Sequence, residues 1–277
     1  MKRLITSALA LAASQACLAD GSPWLAEPGS TQLVVTQVQQ STDEFYKASN
    51  NESLGNELTQ QTTWVGLSYG FDYDLSVDFK TGYSSNEQDG TDTQSGVTDS
   101  TVGVSWRLVD EFISYSNVPT TVLRAAVTFQ GDYDTGDINA IGDGADGLEV
   151  SLIMGRFLTP SLAVSSEIGY RKRSSNVPDD AFYKVGGYVL ADSQLSFSFN
   201  YSVVDAQDGL DIGGEGFGND DGTVNFHKLE EDSSLVDLGI SYNPIPKLNL
   251  SFNAGQVVDG KNTAKSDVYA LTIGYTL

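Results

Sequence analysis

Large apolar side chains recur at every second position along this chain, with small or polar residues between them. From Tyr269 to the end, Tyr269, Leu271, Ile273, Tyr275 and Leu277 alternate with Ala270, Thr272, Gly274 and Thr276. A strand repeats every two residues, so the segment presents one apolar and one hydrophilic face. Leu195, Phe197, Phe199, Tyr201 and Val203 alternate in the same way with Ser196, Ser198, Asn200 and Ser202, and Leu248, Leu250, Phe252 and Ala254 with Asn249, Ser251, Asn253 and Gly255. Upstream, similar segments begin near Gln32, Val65, Leu75, Val102, Leu123, Leu148, Leu162, Ala181 and Ser234. The pattern predicts about twelve strands, each close to the roughly 9–11 residues that a tilted strand needs to cross a bilayer.

The connections supply the architecture. Short links fall near 71–74, 158–160, 192–194 and 244–247, with a somewhat longer one at 110–119; between them lie long polar segments near 43–60, 86–98, 131–146, 174–180, 205–232 and 258–266. Short turns at one end and long loops at the other are the rule for outer-membrane barrels, whereas a soluble sandwich has no reason to make alternate loops long and acidic. The terminal strand, with its apolar last residue, also resembles the carboxy-terminal signal of bacterial outer-membrane barrels, which the barrel-assembly machinery reads. The expected fold is all-β, an antiparallel up-and-down transmembrane β-barrel over residues 31–277. In it Phe197, Phe199, Tyr201, Leu250, Phe252, Tyr269, Leu271, Ile273, Tyr275 and Leu277 face lipid and lipopolysaccharide.

The amino terminus fits export. Met1-Lys2-Arg3 precedes an apolar run from Leu4 to Ala13, and Ala19 stands before Asp20, the layout of a signal peptide cleaved after Ala19. The run is too short for a spanning helix. A lipoprotein site at Cys17 is the alternative, but Ser14-Gln15-Ala16 lacks the usual aliphatic residue. Cleavage after Ala19 removes the chain's single cysteine, which excludes disulfides and thiol chemistry. Residues 20–30 are then a short periplasmic leader, too short for a folded plug. The localisation expected is the bacterial outer membrane.

Charge excludes a further class. Without Lys2 and Arg3 the chain carries 13 basic against 37 acidic side chains, a formal −24. Nucleic-acid binding needs basic surface and is not expected. The acids concentrate in loops; 205–232 alone holds Asp205, Asp208, Asp211, Glu215, Asp220, Asp221, Glu230, Glu231 and Asp232.

Catalytic chemistry has little to stand on. A serine hydrolase barrel needs a histidine beside a serine, and the one histidine, His227, lies in the longest acidic loop. Asp132, Asp134 and Asp137 have the spacing of calcium-loop carboxylates, but Gly136 stands in the wrong order for a helix–loop–helix site. No enzyme activity, metal or cofactor is expected. Charges within strands are more informative, because a charge facing lipid is costly. Asp78, Lys80, Arg107, Arg124, Glu149, Glu167, Arg171, Lys184 and Asp237 are therefore expected to line the lumen. If the 174–180 loop is nearly symmetric, Arg171 and Lys184 lie opposite each other, with Glu149 and Glu167 completing a cross-strand network. Such a network either cancels charge or forms a constriction that sorts solutes.

A family resemblance rests on short motifs. Gly142-Asp143-Gly144, Asp146-Gly147-Leu148-Glu149, Gly155-Arg156, Gly169-Tyr170-Arg171 and Asn176-Val177-Pro178-Asp179 resemble a group of proteobacterial outer-membrane porins and transporters near aromatic-degradation genes. The resemblance implies a barrel transporter along the whole mature chain. The chain departs from long-chain fatty-acid channels in lacking their extended amino-terminal hatch, which counts against a hydrophobic-substrate mechanism. The expected function is a porin-like channel for passive diffusion of small polar or cationic solutes. The alternatives are a surface structural, adhesion or receptor barrel with a blocked lumen and, behind it, a barrel lipid hydrolase.

Overall fold

A computed structural model describes residues 21–114, 117–220 and 223–277; the expected signal peptide lies outside them. The strands are β1 (Thr31–Lys47), β2 (Asn50–Gly70), β3 (Leu75–Gln88), β4 (Gln94–Val97), β5 (Ser100–Val109), β6 (Thr120–Phe129), β7 (Gly147–Thr159), β8 (Leu162–Arg173), β9 (Asp179–Leu190), β10 (Leu195–Gln207), β11 (Asp232–Ile245), β12 (Leu248–Lys261) and β13 (Asp267–Thr276). Sequential strands pair antiparallel, and β1 pairs with β13, Val38 standing opposite Ala270. The sheet closes on itself. Twelve strands form the ring, and β4 is a short extra strand laid against β3, with Val97 bridging to Asp132. Closure gives every spanning strand two neighbours, the condition for backbone in lipid.

Alternation sorts the side chains. Along β10, Phe197 and Phe199 point outward and are exposed, while Ser196 is buried inside. Leu250, Phe252, Tyr269, Leu271, Ile273, Tyr275 and Leu277 are likewise exposed on the outside, and Tyr201, which shares the face of Phe199, is half-buried against Tyr183. Exposed aromatics gather at both rims: Phe71, Tyr73, Trp106 and Tyr242 at the short-turn end, Tyr83, Phe129, Tyr170 and Tyr183 toward the long-loop end. These are the interfacial girdles of a membrane barrel.

Two connections differ from the sequence expectation. The segment 43–60 is no loop: β1 and β2 run on as a protruding hairpin, turning at Ala48, whose φ is 47°. Beyond the bilayer both faces meet water, so the apolar alternation fades while backbone pairing continues. The short strand β4 also forms inside the expected loop 86–98.

The leader enters the barrel. Gly29 N–H donates to Gly70 O at 2.8 Å, and Gly70 N–H to Ser30 O at 3.2 Å, fixing the leader to the end of β2. Across the mouth, Trp24 is buried with Ala163, Tyr188 and Leu190, against Phe112 and Phe157. Its ring meets Phe157 at 5.3 Å and Tyr188 at 6.0 Å, both edge to face. Gly155 faces this spot without a side chain, and a Cβ there would collide with Pro23 and Trp24.

Candidate functional site

The inner wall carries a ladder of alternating charges. It runs from Asp78 on β3 to Arg124 on β6 at 2.8 Å, on to Glu149 on β7 at 2.8 Å, and to Arg171 on β8 at 2.9 Å. From there Arg171 reaches Asp180 on β9 at 3.4 Å, Asp180 meets Arg173 at 3.9 Å, and Arg173 meets Asp143 in the loop before β7 at 2.9 Å. Register explains the steps: Glu149 stands directly opposite Arg171, and Arg171 opposite Asp180. Inward residues two apart on one strand extend the row, as Arg171 and Arg173 do. Arg124 is only 1% exposed, so the two carboxylates it bridges replace the water it has lost. Gly103 makes room, since a Cβ there would press on Arg124 and Asp78.

A smaller group lies nearer the leader. Glu167 accepts a hydrogen bond from Ser151 Oγ at 2.7 Å and approaches Lys184 Nζ at 3.7 Å. Arg171 and Lys184 are therefore not opposite each other. The hairpin pairs Arg171 with Asp180 and Glu167 with Lys184, which shifts β9 by four residues from the symmetric-loop expectation. The four charges expected as one network thus divide between two groups.

The remaining expected residues fall into other settings. Asp237 is buried, and its Oδ1 accepts from Asn200 at 3.0 Å and Asn253 at 3.1 Å. Lys80 lies 4.4 Å over the Trp64 ring, a cation–π contact on the inner face. Arg107 sits at the short-turn end, bound to Asp74 at 3.2 Å and Asp110 at 3.3 Å, where it ties turns together. Asp143, Arg173 and Asp180 were not among the expected charges. Arg173 had a sequence signal, since it shares the parity of Arg171; Asp180 was assigned to the end of the 174–180 loop, whereas β9 begins at Asp179.

Aromatic rings are interleaved with these charges. Phe182 is buried inside the barrel, with Arg171 5.5 Å and Lys184 5.6 Å from its ring. Two cavities flank the ladder. One of about 150 Å³ lies between Trp64, Lys80, Glu149 and Arg171. The other, also about 150 Å³, lies between Pro23, Glu167, Lys184, Tyr188, Asn200 and Asp237.

Residues 26–273 match the family described as the MetA-pathway of phenol degradation. The chain belongs to that family. Its fold is similar to the COG4313 outer membrane channel from Pseudomonas putida F1, with a TM-score of 0.73 and 16% identity over 94% of this chain and 100% of that one. It is also similar to the KdgM porin, at TM-score 0.50 and 9% identity over 86% of this chain and 98% of that one. The transport unit of the autotransporter AIDA-I from Escherichia coli matches at TM-score 0.50 and 12% identity, over 98% of this chain and 97% of that one. No curated protein matches. The chain shares the barrel fold of these outer-membrane proteins, and several of the family-like motifs meet in space: Asp143, Glu149 and Arg171 all belong to the ladder.

Proposed function

We propose that the protein is a passive channel of the bacterial outer membrane for small aromatic molecules carrying a polar group, phenols being the type. The long loops face outward and the short turns face the periplasm. The observation that carries this reading is the interleaving of rings and charges on the inner wall. Trp64 lines one cavity with Lys80 and Arg171, and Tyr188 lines the other with Lys184, so a ring and its hydroxyl both find partners. Cavities of about 150 Å³ suit one ring, the size at which an engineered apolar cavity takes up benzene. The family description, which names phenol degradation, agrees.

This cargo replaces the polar or cationic solutes expected from the acidic loops. That expectation weighed the excess charge of the loops, but inside the barrel the acids of the ladder are met by arginines. The reading assigns the chain no catalytic role, in line with the channel and the porin that share its fold. A barrel with a blocked lumen and a surface role is the second reading, favoured by the leader in the periplasmic mouth.

Ion current through the purified protein in planar bilayers tests the proposal. A ring entering a narrow lumen interrupts the current, so phenol should cause brief blockades whose frequency rises with concentration, while glucose causes none. Equal blockade by both solutes would defeat the aromatic reading. Absence of current in the wild type and in a leader-deleted form would establish the blocked barrel.

A further inference from the structure

One stretch of the inner wall is nearly free of side chains. Gly186 on β9, Asn200 on β10, Asp237 on β11 and Gly255 on β12 stand opposite one another in a single row. Two of the four are glycines, so the row leaves space in front of Asp237; a Cβ on Gly186 would collide with the Tyr188 hydroxyl and with Asn200 Oδ1. The cavity of about 150 Å³ beside the leader lies against this row, with Pro23 and the Tyr188 ring on its boundary. Leu235 completes the lining. It is two residues from Asp237, hence on the same inner face, and half-buried opposite Ser202. An apolar side chain placed among serines and asparagines of the lumen suits a solute with an apolar face better than it suits water.

Asp237 is the polar pole of this pocket. Its side chain is buried, and Oδ1 accepts from Asn200 Nδ2 at 3.0 Å and from Asn253 Nδ2 at 3.1 Å. Asn200 is oriented in turn by Tyr188, whose hydroxyl donates to its Oδ1 at 3.1 Å. The second oxygen, Oδ2, accepts from no described residue, yet it is not sealed within protein and so is open to the cavity that Asp237 lines. Among the described residues no cation pairs with this carboxylate; Lys184, on the same cavity, approaches Glu167 at 3.7 Å instead. A carboxylate with one oxygen fixed by two amides and the other open is a preorganised acceptor for a donor that enters the cavity.

We propose that this pocket is the binding station of the channel for a phenolic ring and that Asp237 is the residue that selects it, an inference that rests on the aromatic-channel reading above. The ring packs between Tyr188, Leu235 and Pro23, and its hydroxyl donates to Asp237 Oδ2. Charge disfavours an aromatic carboxylate, since Asp237 and Glu167 outnumber Lys184 in the lining. An unsubstituted ring fits the space but brings Oδ2 no donor.

Binding is read from the ¹⁹F resonance of 4-fluorophenol added to the purified protein in detergent micelles, with protein-free micelles as the blank and phenol, benzene and benzoate as competitors. The expected result is a saturable shift that phenol reverses and benzoate does not. In Asp237→Asn, Asn200 and Asn253 hold the new amide by its oxygen, so that a donor takes the place of the open acceptor. The ratio of phenol to benzene affinity should then fall roughly tenfold or more, the worth of one hydrogen bond to a charged group. A shift that does not saturate, or displacement by benzoate as readily as by phenol, overturns the site on the wild-type protein alone, whether or not the variant folds. An unchanged phenol-to-benzene ratio in Asp237→Asn that still shows heat-modifiable migration overturns it as well. Current blockades by phenol without saturable 4-fluorophenol binding would overturn the site while leaving the channel reading intact. Saturable binding that depends on Asp237, without any current blockade, would uphold the site and refute the channel reading.

Discussion

Arg124 and Glu149 meet at 2.8 Å inside the barrel, the arginine 1% and the glutamate 7% exposed. Each has a second partner, Asp78 for the arginine and Arg171 for the glutamate. Replacing Arg124 with methionine leaves Glu149 to Arg171 and takes one ion pair from Asp78, so the loss should stay below the about 3–5 kcal/mol that a wholly uncompensated buried charge costs. Urea-induced unfolding of the refolded protein in lipid should show that loss for Arg124→Met and a smaller one for Arg124→Lys, which keeps the charge but lacks the fork. Unchanged urea midpoints would mean the ladder adds nothing to stability.

Neighbouring residues on one strand should respond oppositely to the same substitution. Phe199 is outside and 48% exposed, whereas Asn200 is inside, donating to Asp237 at 3.0 Å. Phe199→Arg should cost about 2–4 kcal/mol if it lies near the bilayer midplane. Asn200→Arg should cost much less, because its guanidinium faces the Asp237 carboxylate. Folding yield into vesicles compares the two, and equal yields would contradict the facing of β10.

The barrel was legible in the sequence because two solvents write on its strands at once. Lipid demands Phe197 and Phe199, water tolerates Ser198 and Asn200, and the alternation survives wherever both are present. Where water lies on both sides, as over Glu44 to Ser53, the signal fades and the paired hairpin reads as a loop. The ladder was half legible. Glu149 opposite Arg171 followed from one short turn, but Asp180 depended on the exact closure of a longer one, and a shift of four residues changed the partner of Arg171. The lumen is a third environment with no simple pattern. Ile153 stands on the polar face of β7 and is 2% exposed, because Gly21 of the leader lies directly against it. An apolar residue out of phase, together with Gly155 two positions on, was the available trace of the leader's seat.

That seat gives a prediction about conductance. Trp24 is 4% exposed and holds the leader across the short-turn mouth through Phe157 and Tyr188. Trp24→Ala removes an anchor whose truncation in a core costs about 3–5 kcal/mol, enough to release the short leader. Single-channel conductance should rise severalfold in Trp24→Ala and much less in Trp24→Phe. Identical conductance in wild type and Trp24→Ala would place the leader outside the solute path.

Acid should alter the outer mouth through Glu231. This loop residue is exposed, yet its carboxyl accepts from Thr263 Oγ1 at 2.6 Å. Loss of bulk water around the carboxyl, and Asp143 beside it, raise its pKa from 4.5 to about 7. The group is neutral below that pH and charged above it, so cation preference should increase as pH climbs through neutrality. The same shift makes the folded state hold the proton more tightly than the unfolded one, so this group's contribution to stability falls as pH rises from about 4.5 to 7. The His227 pKa is itself lowered, by burial and then by Lys228, with Asp143 opposing. Reversal potentials at pH 5 and pH 9 measure the change, and Glu231→Gln should flatten it; a mutant with the wild-type pH dependence would assign the effect elsewhere.

Arg171 separates selectivity at the mouth from selectivity within the lumen. Acids exposed on the loops attract cations, but salt screens them over about 8 Å at physiological strength, so their effect should weaken as salt rises. Arg171 lies deeper, with Glu149 at 2.9 Å and Asp180 at 3.4 Å, and is only partly reached by solvent. Arg171→Ala leaves Glu149 to Arg124 and Asp180 to the more distant Arg173, one negative charge in excess within the wall. If the ladder lines the constriction, the mutant should prefer cations more strongly than wild type, and the difference should persist in concentrated salt, where the loop acids no longer contribute. Permeability ratios at low and high salt read this directly. Wild-type ratios at both concentrations would leave the ladder a purely structural brace and move the constriction elsewhere in the lumen.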